Sequence, residues 1–414
     1  MVGRVVAIPT RYSTKIRRRL MDVAMSYDCH NRSEFGLKVL QLNEMIDIGL
    51  NVPVFCALGD GSMKEAVGYD RLKRWNSKIL EEANIREVSQ HIQHELITMD
   101  IDFDHVITKI KLHTSFFDGS TTYAVRSSGL EEDGEATSFA GAHDSYLNVP
   151  IDDLGDAIKR CWASLYNYRA LSYRRELGLG YPQGMGVIIQ KMVNADIAGV
   201  AFSSDPTGSI PGSMIIEVVK GCGDSLVGGT KTPTTVFVSK GSGKLLLEIR
   251  GDDDIHTPPD VLTRLRLGML AAEGHKGVPV DMEWVFSEKR HLYFLQVRRI
   301  TKMGMEGSVN SNRKGMGASP GIVEGYGRWV NDEYSIIEPG DILLTRQTNP
   351  LFLPLMKKAG GVITAKGGIT CHAAIVCREL NIPCIVGVGE GIHNLIGKVV
   401  TMNGSSGEAV IQDE

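Results

Sequence analysis

The stretch Gly367-Gly368-Ile369-Thr370-Cys371-His372-Ala373-Ala374-Ile375-Val376-Cys377-Arg378-Glu379-Leu380-Asn381-Ile382-Pro383 decides how this chain is read. Two adjacent glycines permit a tight turn that a β-carbon would obstruct. Thr370 is expected to cap a short helix that begins beside His372. Asn381 and Pro383 predict its end after Leu380. His372 would then sit at a helix N-terminus, where free N–H groups and the macrodipole favour an anion over an imidazolium. The ring is expected to be neutral, nucleophilic and suited to accept a phosphoryl group. An isolated His-Ala-Ala would be read as a capped core histidine; the long patterned run favours the nucleophile.

Working outward, the chain has 414 residues, enough for two or three domains with sizeable cores. Hydrophobic residues make up 43% and charged residues 23%, ordinary proportions for a soluble globular protein. A net charge of −4 points to no nucleic-acid or acidic-lipid partner. The 7 cysteines, at 29, 56, 161, 222, 371, 377 and 384, are odd in number and show no Cys-x-x-Cys spacing. That favours reduced thiols in a cytoplasm over disulfides or a zinc site. Cys371 is read as a small filler at the helix cap, and the basic run Lys15, Arg17, Arg18 and Arg19 as a solvated helix face. No stretch has the apolar length of a signal peptide or a membrane span.

Apolar spacing predicts a helix over 37–48, a strand at Val52–Phe55, helical segments over 70–100 and 152–177, and a strand from Thr121 that ends in Arg126. Gly186–Val193 and Ala198–Ser203 read as further strands. Val280–Phe286 and His291–Ile300 read as a hairpin. With a four-residue turn, Asp281 would face Gln296 and Glu283 would lie diagonal to it; period two puts both acids with Gln296 and Arg298 on one face. Such a face could be plain solvated polarity, or hard oxygen ligands for Mg²⁺ beside a phosphate-binding arginine. Arg126 enters a Ser/Gly loop that runs to Gly141, where small residues let N–H groups approach an anion. Thr301–Asn312 has neither helical nor strand periodicity and reads as a linker.

The histidine run resembles the phosphohistidine segment of the phosphoenolpyruvate-utilising enzymes, the family of phosphoenolpyruvate synthase, pyruvate phosphate dikinase and rifampin phosphotransferase. Further stretches carry the same resemblance: Gly36-Leu37-Lys38 with Asn51-Val52-Pro53, Ala124-Val125-Arg126-Ser127-Ser128, Asp281-Met282-Glu283-Trp284 and Leu295-Gln296-Val297-Arg298. The resemblance implies an α/β (α+β) chain with an ATP-grasp-like nucleotide-binding domain over 1–300 (subdomains near 1–185 and 186–300). A linker at 301–312 and a swivelling β/α phosphohistidine domain over 313–414 would follow. It implies that His372 carries phosphoryl, that Lys38, Arg126, Gly141 and Arg298 hold ATP, and that Gln190 and Met192 lie at the adenine. Glu283 and Gln296 would hold Mg²⁺. Arg378 is read as a helix-surface or interdomain cation.

The chain closes at Asn403-Gly404-Ser405-Ser406-Gly407, which resembles the end of the histidine domain and leaves out the barrel that binds pyruvate in the synthase and the dikinase. The acceptor, pyruvate, is therefore expected on a separate subunit. Transfer to another small molecule or to water, and a non-enzymatic nucleotide-sensing phosphocarrier, are the alternatives.

Overall fold

The computed structural model describes residues 23–25, 31–112, 121–131, 143–208, 210–227, 229–300 and 315–412. The basic run at 15–19, Gly141 and the linker at 301–312 lie outside the described residues. Three sheets organise the rest. The first joins β1 (Val23–Met25), β2 (Phe55–Leu58), β3 (Tyr123–Gly129), β4 (Ser145–Val149) and β5 (Met185–Lys191) in the order β1-β2-β5-β3-β4. The second joins β6 (Ala195–Phe202), β7 (Ser213–Lys220), β8 (Thr234–Ser239), β9 (Leu245–Ile249), β10 (Val280–Ser287) and β11 (Leu292–Arg299) in the order β11-β10-β6-β7-β8-β9, antiparallel throughout.

The third sheet comprises β12 (Met316–Ser319), β13 (Ile322–Trp329), β14 (Ile342–Thr345), β15 (Gly361–Thr364), β16 (Cys384–Val386), β17 (Val399–Asn403) and β18 (Glu408–Ile411). Its centre is parallel, from β13 through β14 and β15 to β16. Buried strands such as Ile342-Leu343-Leu344-Thr345 read as unbroken apolar runs, as parallel strands covered on both faces do.

Helices α1 (Arg32–Phe35) and α2 (Leu37–Asp47) are the first described helices. They are followed by α3 (Asp60–Val67), α4 (Tyr69–Glu81), α5 (Ile85–Ile97) and α6 (Asp104–Leu112). The helical stretch expected over 70–100 is thus two helices. It breaks because Asn84 caps α5, its side chain accepting from Glu87 N. Likewise 152–177 resolves into α7 (Leu154–Ser164) and α8 (Tyr168–Glu176), where Asn167 accepts from Ala170 N at 2.7 Å. The first strand after α2 starts at Phe55, not Val52, and β3 runs through Arg126 to Gly129 instead of ending there.

Alternation along the strands divides the cores. Val125, Val187 and Ile189 pack with Leu72, Trp75, Ile92 and Trp162 on one face of the first sheet. Phe55 and Ile188, on the other face, join Val39, Leu42 and Met45 of α2, Met282 and Trp284 of β10, and Leu265 and Met269 of α10 (Pro259–Lys276). The opposite face of the second sheet, with Phe202, Ile215, Val219 and Phe237, shares a core with Phe352, Leu353, Met356 and Ala374 of the C-terminal unit. Burying each such large side chain is worth roughly 1.5–3 kcal/mol, so this contact is an apolar seal between the two halves. Among the described residues no helix is long and apolar enough to cross a membrane.

Candidate active site

The helix that carries the histidine, α12, spans His372–Leu380 and ends on Asn381 in the left-handed conformation (φ 55°), as the sequence predicts. The cap at its start differs from expectation. Cys371 occupies the N-cap without a side-chain cap bond, while the Thr370 hydroxyl donates instead to Glu217 of β7. Glu217 also accepts the Ile369 N–H at 2.6 Å. Gly367 adopts φ 109°, and a β-carbon on Gly368 would stand 2.1 Å from a Glu217 carboxylate oxygen. The glycine pair therefore lets the loop lie directly on the second sheet.

Ring and loop are held electrostatically as well. Nδ1 of His372 lies 2.8 Å from Thr348 Oγ1. Loss of hydration pushes the imidazole down to about 4, so it is neutral near pH 7. Burial lifts Glu217 to about 7 against the lowering effect of its Thr370 and Ile369 bonds. Burial also raises the Cys371 thiol to about 12, which removes it as a nucleophile and agrees with a filler role. Arg378, half-buried, donates to Ala318 O at 3.0 Å and Ile369 O at 2.8 Å, so it braces its own unit.

His372 opens on a cavity of about 640 Å³ between the sheets. Lys38, Arg126, Gln190, Met192, Glu283, Gln296 and Arg298 line the same cavity. Every described residue that the resemblance assigned to ATP, Mg²⁺ or phosphoryl thus lines one space, including residues more than three hundred positions apart.

The hairpin that supplies three of these residues is registered differently from expectation. Asp281 faces Arg298 and Glu283 faces Gln296. The turn adds one residue, pairing Phe286 with Leu292, and a bulge at Leu295 adds another. Two single-residue offsets restore the parity, so the polar quartet still shares one face. Met282 and Trp284 remain buried on the other.

Arg126 is the hub of this face. Its guanidinium donates to Leu295 O at 2.8 Å, Gln296 Oε1 at 3.1 Å and Gln190 Oε1 at 3.2 Å, and lies 3.5 Å from Glu283 Oε2. Arg298 donates to Asp281 Oδ1 at 3.1 Å and lies 3.9 Å from Glu283 Oε1. Burial raises the Asp281 carboxyl, opposed by Arg298. Gln190 is buried, and its other amide end donates to Pro53 O at 3.2 Å. Its side chain therefore orients Arg126. The Met192 N–H is committed to Thr122 O at 2.9 Å, and the residue lines the cavity.

The oxygens of Asp281, Glu283 and Gln296 gather around these two cations, and hard donors of this kind suit Mg²⁺. Among the described residues no group of three or more His, Cys, Asp or Glu is placed to hold a metal unaided. A metal here would share amide and substrate-phosphate oxygens. Thr348 and Glu217 were not foreseen from sequence. Thr348 lies in the loop after β14 and Glu217 on β7, and no local pattern marks either.

The chain belongs to the phosphoenolpyruvate-utilising enzyme family. Residues 32–316 match the family described as pyruvate phosphate dikinase, AMP/ATP-binding domain, and residues 337–407 match PEP-utilising enzyme, mobile domain. It is similar to a probable phosphoenolpyruvate synthase of Methanothermobacter thermautotrophicus, 39% identical over 69% of this chain and 46% of the relative. It is also similar to the phosphoenolpyruvate synthase of Pyrococcus furiosus, 35% identical over 69% of this chain and 40% of the relative. A probable phosphoenolpyruvate synthase of Methanocaldococcus jannaschii is 30% identical over 81% of this chain and 32% of the relative. The matches thus span less than half the length of each of these relatives.

Proposed function

We propose that the chain charges His372 with a phosphoryl group from Mg·ATP and passes it to pyruvate bound on a separate subunit. The observation that carries this reading is the single cavity shared by His372, Lys38, Arg126 and Arg298. In the productive tautomer the ring proton stays on Nδ1 and is donated to Thr348 Oγ1. The Nε2 lone pair then forms the bond to phosphorus while the bond to the leaving phosphate oxygen breaks. The resemblance to the dikinases implies attack at the β-phosphate: the bond to AMP breaks, and water then releases the γ-phosphate as inorganic phosphate, leaving one phosphoryl group on the ring. The two guanidiniums and Lys38 offset charge on the transferring group and its neighbours. Glu283 and Gln296, with Asp281 beside them, would hold Mg²⁺, which when bound neutralises phosphate charge.

Residues 1–300 form the ATP-binding domain in this reading, 301–312 the tether, and 313–414 a swivelling domain that carries the charge to the acceptor. No two of the six described cysteines are joined in a disulfide, which fits a reducing cytoplasm.

The test is incubation with Mg²⁺ and ATP labelled at the β or the γ position. The proposal expects acid-labile label from the β position on His372, AMP as product, and discharge by pyruvate once an acceptor subunit is added. ADP formation would make the chain a simple kinase. Discharge to water or another acceptor would reassign the substrate. Nucleotide binding with no labelled histidine would leave a sensor and overturn the proposal.

A further inference from the structure

Arg86 stands where a helix least favours a cation. It is the second residue of α5, in the turn that carries the positive end of the dipole. Its side chain reaches across to the C-terminal unit instead. There Nη2 donates to Glu333 Oε1 and to the Tyr334 hydroxyl oxygen, each at 2.8 Å. The guanidinium carbon lies over the Tyr168 ring, 4.0 Å from its centroid, and 5.9 Å from the centroid of Tyr334.

Both sides of this clasp are braced. Arg175 of α8 donates to Ala83 O and to Glu82 O, each at 2.9 Å, which fixes the turn that leads into α5. On the facing turn, Asp332 Oδ1 accepts the Tyr334 N–H and the Ser335 hydroxyl, each at 3.1 Å. Tyr168 opens α8, whose Ala170 and Tyr173 share a core with Phe352. Phe352 ends the short turn that follows Thr348, the partner of His372 Nδ1.

The C-terminal unit thus has a polar anchor on each side of the nucleotide cavity. Glu217, on the second sheet, holds the loop before His372. Arg86, on a helix packed against the first sheet, holds residues 333 and 334. An exposed ion pair alone adds little, but this guanidinium is stacked on a ring and makes two hydrogen bonds. We propose that Arg86 is a positioning residue: its clasp on Glu333 and Tyr334 keeps the C-terminal unit docked, with His372 at the cavity. Its part in charging rests on the reaction proposed above; its hold on docking does not.

The test reads docking by amide hydrogen exchange of the full chain and charging by single-turnover uptake of β-label. The Ile369 N–H, bonded to Glu217 across the interface, reports docking at a site remote from the substitution. Arg86→Glu sets two carboxylates against each other, yet places an acid in the first turn of α5, so the helix itself is not weakened. This variant should speed exchange over residues 366–372 about tenfold and slow label uptake about fivefold, with ATP affinity and exchange within α5 unchanged. Combining Arg86→Glu with Glu333→Arg restores opposite charges and should recover both readouts. Unchanged exchange at 366–372 in the single variant would overturn the proposal. So would a double variant no better than the single one, or faster exchange confined to α5, the mark of a local structural role. If the unsubstituted chain takes up no label, the charging reaction fails, and the exchange measurements still decide the clasp.

Discussion

Glu217 Oε1 accepts the backbone N–H of Ile369 at 2.6 Å, joining the second sheet to the loop that presents His372. The carboxyl is fully buried and bonded also to Thr370, two residues before the histidine. The loop geometry is thus fixed by a residue of the opposite half of the chain.

That contact should be pH-dependent. Glu217 is lifted from 4.5 to about 7 where it is packed, so the packed state holds a proton that the separated or unfolded state releases near the ordinary value. Its contribution to stability is present in full below pH 4.5 and is lost as pH rises toward 7. Thermal melts over that window should show a falling contribution that Glu217→Gln abolishes. An unchanged slope in the variant would contradict the assignment.

His372 carries the opposite sign. Its value is lowered from 6.5 to about 4, so the unfolded chain protonates first and stability falls as pH drops through that interval. In single-turnover labelling, the acid limb due to His372 should lie near 4, well below the value for a solvated imidazole. His372→Asn should melt normally and take up no label.

Thr348 fixes the tautomer. Thr348→Val should slow phosphoryl uptake about tenfold to a hundredfold, the scale seen when outer partners of functional imidazoles are removed. Thr348→Ser should recover most of the rate. Nucleotide affinity should be unchanged in both, measured by equilibrium binding.

Gln190→Leu tests the orientation of Arg126. The variant leaves the Pro53 carbonyl and one Arg126 N–H without their amide partner. It should cost about 1–3 kcal/mol in denaturant titrations and raise the KM for ATP. A loss confined to kcat would argue against a role in binding.

Gly199 permits the close approach of β6 to its neighbours. A β-carbon there would fall 1.8 Å from Glu217 O and 2.9 Å from the Trp284 ring. Gly199→Ala should destabilise the chain by more than about 3 kcal/mol, because backbone must move to admit the methyl group.

Much of the site was legible in the sequence. The polar quartet of the hairpin keeps its common face because side-chain direction depends only on parity, which two compensating offsets preserve. The helix stop at Asn381 was legible because the left-handed cap is a local requirement. Thr370 misled because its hydroxyl can cap locally or bond at long range, and only the fold brings Glu217, 153 positions away, into reach. The commitment of the Gln190 amide to Arg126 and Pro53 was not legible, because it arises from strand pairing.

The apolar seal formed by Phe202, Ile215 and Phe237 against Phe352 and Leu353 has a thermodynamic corollary. In the swivel proposed above, parting the C-terminal unit from the second sheet would wet this surface and raise the heat capacity, as any exposure of hydrocarbon to water does. The balance between docked and parted arrangements would then follow a curved temperature profile, with cooling loosening the seal by weakening the driving force that closes it.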